Sequence, residues 1–267
     1  MVSRRQVLAS TAAAVAALAV APRIAAADSD GGGSFSFPFF PAITSGSYAP
    51  ENIPDILNML VTMEHFAVAA GTANYNGQAQ SGINPLFFTV QQTSIVSSLA
   101  HVDFLESQGA RALTSTFSVP GTLGVSVASL QRKESIITIF IGAYMTAARE
   151  FAEQGEPLLV KWAFQAGAQL AEDRAAARTL LATQGTAAAV PPVNKAFETD
   201  LFLYVRDAYA LMTSLGLFGA GSNKFPYPSR DQVLAAAGSV AAQVVQKVPN
   251  NASTSVMNPN AITQERP

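Results

Sequence analysis

The chain has no cysteine, only two histidines and one tryptophan in 267 residues, and just 13% of it is charged. Without cysteine there is no disulfide, no thiolate metal ligand and no thiol nucleophile, so packing alone must hold the fold together. The formal net charge is −2 and no basic cluster stands out, which excludes the electrostatic footprint of a nucleic-acid binder. Also missing are a P-loop, a Gly-x-Ser-x-Gly elbow and a His-Glu-x-x-His pair. Gly219-Ala220-Gly221 lacks a third glycine and a preceding strand, so it marks a turn. A Ser-His-Asp triad would have to use His65 or His101, and neither has an identifiable nucleophile. What is present is an Ala-rich, 49% hydrophobic chain, long enough for one large core.

The N-terminus carries three export features in register. Ser3-Arg4-Arg5-Gln6-Val7-Leu8 fits the twin-arginine pattern, a mild apolar run follows over 9–21, and Arg23 precedes the small residues Ala25-Ala26-Ala27. The run is too short and weak to span a bilayer. We expect residues 1–27 to be an export signal carrying the protein to the periplasm or the exterior, with no membrane span in the mature chain. Removing Arg4, Arg5 and Arg23 from 16 basic residues leaves 13 against 18 acidic, a net −5.

Past a Gly/Ser/Pro-rich lead-in over 28–49, in which Phe35, Phe37, Phe39 and Phe40 are expected to anchor on the body, helical periodicity dominates. It predicts helices over 50–75, 85–113, 130–154 and 157–183. A fifth is predicted over 194–216, a Pro-rich aromatic turn over 224–229, and a short helix over 230–247. The polar segment 249–267 is expected to be a disordered tail. The bundle would occupy 50–184, with the helices of 185–248 packed on it as one domain.

Connection lengths give the topology. Helices one and two, and three and four, are joined by short links, so each pair is antiparallel. The link 114–129 contains Pro120, Gly121 and Gly124 and no helical pattern. Extended at ~3.3 Å per residue it reaches roughly 50 Å, enough to run the length of a 25-residue helix. The expected fold class is therefore all-α, a ferritin-like four-helix bundle with one long crossover plus extra C-terminal helices.

Three residues sit uncomfortably on the predicted apolar seams: Glu64, His101 and Glu172, each on a different helix. An unpaired buried polar group costs roughly 2–7 kcal/mol, so such groups face one another, a metal or water. Converging inside a bundle, two carboxylates and an imidazole outline a metal site.

These residues also carry a resemblance. The stretch 52–178 resembles the exported ferritin-like domain family that includes twin-arginine and desiccation-related bacterial proteins. Its carriers are Asp55-Ile56-Leu57-Asn58 leading to Glu64 and Tyr75, His101-Val102 before Leu105, Gly142-Ala143-Tyr144, and Glu172 followed by Arg178. The resemblance implies a di-metal site built from Glu, Glu-x-x-His, Glu and Glu-x-x-His on successive helices. Glu64, His101 and Glu172 match it. Ser98 stands where the second-helix Glu belongs, Ile137 at the third-helix position with Glu134 one turn away, and Ala175 where the fourth-helix His belongs. A dinuclear site is thus degenerate. Glu64, His101 and Glu172 all fall in one half of it, which leaves open a single Fe or Mn ion with redox or peroxide chemistry, Ser98 holding a metal-bound water. The preferred reading is a metal-free polar core in a non-catalytic, stress- or desiccation-related protein, with Glu64 and Glu172 paired to Arg178, Arg149 or His65, or to Tyr144 and Gln169.

Overall fold

The computed structural model describes residues 49–77, 85–121, 123, 127–183, 198 and 202–243. The expected signal at 1–27, the phenylalanines of the lead-in and the tail at 249–267 lie outside the described residues.

Helix α1, Ile53–Asn76, starts where the Asn52 side chain accepts the Asp55 backbone N–H at 2.9 Å, with Pro54 in its first turn. Its buried residues surround the axis, with Ile56, Leu60, Val61 and Val68 fully enclosed. Among the described residues it is the one helix long and apolar enough to cross a membrane, yet 83% of its most apolar window is buried within the protein. That is the signature of a core helix.

Helix α2, Pro85–Ser107, ends six residues before the expected 113. Gly109 turns the chain at φ 89°, and the Ala110 N–H returns to the Leu105 carbonyl at 3.1 Å, which closes the helix end. Helices α3, Val127–Glu153, and α4, Pro157–Thr183, are separated by Gly155 at φ 76°, close to the sequence expectation.

The pairs that touch give the helix directions. Between α1 and α2, Glu64 meets His101 and Tyr75 meets Phe88, so the two run antiparallel. Between α3 and α4, Tyr144 meets Trp162 and Glu134 meets Arg178, again antiparallel. Across the interior, Gln91 meets Lys133 and His101 meets Tyr144, so α3 runs parallel to α2. The connection from α2 to α3 therefore travels the length of the bundle.

That crossover is not featureless. It contains strand β1, Thr116–Val119, which pairs antiparallel with β2, Asn223–Pro226, placing Phe117 opposite Phe225. Neither strand was expected, and 224–229 is half strand rather than wholly turn. The protein is mostly helical with this small sheet added. The fifth helix is also shorter than expected: α5 is Val205–Ser214, while 202–204 are not helical and 194–197 lie outside the described residues. The last predicted helix divides at Gly238 (φ 57°) into α6, Arg230–Ala237, and a 3-10 turn, Gly238–Ala242. Helix α6 opens with a capping box between Ser229 and Gln232.

Candidate functional site

Glu64 lies at the middle of α1, fully buried. Its Oε1 accepts the Tyr144 hydroxyl at 2.5 Å and faces His101 Nδ1 at 3.1 Å. Because the carboxylate oxygen accepts, His101 contributes Nδ1–H in this arrangement. Three helices thus send one polar group each to a common point. Around them the walls are aromatic: His101 stands edge-on to Trp162 at 6.2 Å, and Tyr144 edge-on to it at 5.3 Å. Phe104 stacks on the indole at 4.9 Å and covers its other face. Burial, reinforced by the Glu64 carboxylate, raises the Tyr144 hydroxyl well above the usual tyrosine range, so it stays a donor. Glu64 Oε2 is buried and has no hydrogen-bond partner among the described residues.

Glu172 does not join this pair. It is exposed on the outer side of α4. The inner stripe of α4 runs through Leu159, Trp162, Ala163, Ala166, Leu170, Asp173 and Ala177, which puts Asp173 inward where Glu172 was expected. Among the described residues no three His, Cys, Asp or Glu side chains gather in a way that could hold a metal ion. The expected Glu64, His101 and Glu172 ligand set is therefore corrected to a two-residue contact. One carboxylate and one imidazole, with the imidazole Nδ1 turned to the carboxylate, supply fewer protein donors than either a two-histidine, one-carboxylate iron site or the Glu and Glu-x-x-His set of a di-metal bundle.

The arginine and histidine candidates are engaged elsewhere. Arg178 binds Glu134 through Nε and Nη2 at 2.9 and 2.6 Å. Arg149 pairs with Glu150 at 3.5 Å and donates to the Leu203 carbonyl. His65 points away from this cluster, where Nε2 meets Glu106 at 3.2 Å and the ring stacks on Tyr227 at 3.9 Å. Burial lowers its pKa, with Glu106 acting in the opposite sense.

Sequence reasoning missed a second polar layer. Arg174 forms a forked pair with Glu198, one arm at 2.7 Å, and also reaches Thr138. Lys133 crosses the interior to Gln91 and Ser94, and Asp173 lies on the same inner face. Asp173 and Arg174 sit among alanines and Lys133 within a charged run, so nothing in the pattern separates them from a solvated face.

No protein-family model, no curated protein and no solved structure matches this chain.

Proposed function

We propose that this chain is an exported helical protein of ferritin-like architecture in which a metal centre has been replaced by a hydrogen-bonded core, and that its role is non-catalytic protection under drying or oxidative stress. The observation that carries this reading is the closed contact of Glu64 with Tyr144 and His101, with Glu172 turned to solvent. The run of helix directions supports it too: α3 is parallel to α2 and a long crossover joins them, which an up-down-up-down bundle would not need. Export rests on the twin-arginine pattern at Arg4 and Arg5. The competing reading, one Fe or Mn ion at Glu64, His101 and Glu172, loses its third ligand.

Peroxide consumption and Fe(II) oxidation by the purified protein, with Fe(II) or Mn(II) supplied, test the proposal. Wild type and His101→Ala are expected to give the same background rate. Turnover by the wild type that disappears in His101→Ala would overturn it.

A further inference from the structure

A cavity of about 90 Å³ opens between α1, α2, α3 and α4, toward the C-terminal end of α1. Glu64, His101 and Tyr144 do not line it. Its apolar wall includes Phe66, Phe140 and Leu170, and its polar wall includes Gln91, Ser94, Ser98, Arg132, Lys133 and Asp173. The Lys133 amine donates to Gln91 Oε1 at 3.2 Å and Ser94 Oγ at 3.0 Å. A lysine ammonium carries three N–H groups, and the third meets no acceptor among the described residues. The Asp173 carboxylate and the Ser98 hydroxyl likewise make no hydrogen bond among the described residues. Three groups with spare hydrogen-bonding capacity thus share one small, mostly apolar chamber.

We propose that this cavity binds a short aliphatic aldehyde and that Lys133 captures it as an imine. The volume is several times the ~10–15 Å³ that a single water needs, room for a short carbon chain. An aldehyde is neutral, so it adds no charge to a wall that already holds Arg132, Lys133 and Asp173, and its oxygen can accept from Ser98. Burial also holds the Lys133 amine below the ordinary lysine range, with Asp173 acting in the opposite sense, which raises the share of nucleophilic free amine. In the reaction the Nζ lone pair forms the C–N bond while the carbonyl π pair moves to oxygen. One N–H proton passes through Asp173 to that oxygen and gives a carbinolamine. The second proton follows as the C–O bond breaks, and water leaves. Amine plus aldehyde becomes imine plus water, with no oxidant or reductant.

The test is reductive trapping of the full chain with butanal and cyanoborohydride at neutral pH, read by peptide mapping. Lys161 and Lys224 are exposed and serve as internal references. Lys133 is expected to be alkylated several-fold faster than either, with a rate that saturates in butanal. Asp173→Asn is expected to slow trapping at Lys133 alone, and Leu170→Trp, which fills the chamber, to abolish it there. Alkylation of Lys133 no faster than of Lys161 and Lys224 would overturn the proposal, and that comparison needs only the wild-type protein.

Discussion

At the scale of single residues, the Glu64 cluster converts a costly group into a tolerable one. A buried carboxylate without partners costs several kcal/mol, and each charge-assisted hydrogen bond returns roughly 1.5–3 kcal/mol. Among the described residues, Glu64 has two such partners on one oxygen and none on the other. Tyr144→Phe is expected to lower stability by about 1–3 kcal/mol, because Glu64 keeps its burial and loses its shortest bond. Urea denaturation at neutral pH checks this; an unchanged midpoint would mean the carboxylate finds another donor. The meeting of Glu64 and His101 was legible in the sequence, since both interrupt apolar stripes of adjacent helices. Tyr144 was legible as inward-facing. Glu172 was misplaced because α4 is so rich in alanine that its apolar stripe has no sharp phase, and a one-residue error swaps Asp173 for Glu172.

At the scale of elements, close approach of α1 and α2 depends on Gly71. A Cβ there would lie 2.7 Å from Ile95 Cγ1 and 2.9 Å from Gln91 Nε2. Gly71→Ala forces the two helices apart or the side chains aside, and is expected to cost about 1–3 kcal/mol despite alanine's better helix propensity. Thermal melting settles the sign: a stabilised variant would show that the contact yields freely. Helix starts at 85 and 157 and the break at Gly155 were readable from proline and glycine. The end of α2 was read too late because Ala110, Ala112 and Leu113 continue an apolar pattern past the glycine, although Leu113 is exposed. Strands β1 and β2 are four residues each and far apart in sequence, so no local period announced them. Long-range pairing made them strands: the Ser118 N–H also donates to the Leu217 carbonyl at 2.9 Å.

At the scale of the whole molecule, the chain after the bundle is bound into it at both ends. Arg230 forks onto Asp103 of α2 at 2.7 and 2.9 Å, and the Arg206 backbone N–H donates to Glu51 ahead of α1 at 3.1 Å. Beside Glu51 sits Glu150, fully buried, whose carboxyl is pushed up to about 7 by burial and then by the Glu51 charge, with the Glu51 backbone and Arg149 opposing. The folded state therefore holds a proton that the unfolded chain releases near pH ~4.3. The resulting stabilisation is complete below that value and is lost as pH rises through about 7. Glu150→Gln, neutral at every pH, is expected to remove this decline. The difference in urea midpoint between variant and wild type should grow from about pH 5 to about pH 8, and a constant difference would contradict the assignment. His65, lowered in the fold, works in the opposite sense as pH falls, but it is common to both proteins and cancels. The central claim is that Glu64 and His101 are held by each other and by Tyr144, not by a metal. Elemental analysis of the protein, purified without chelators and without added metal, tests it most directly. The account predicts iron, manganese and zinc far below stoichiometry in both wild type and His101→Ala; a stoichiometric metal in the wild type that vanishes in His101→Ala would contradict it.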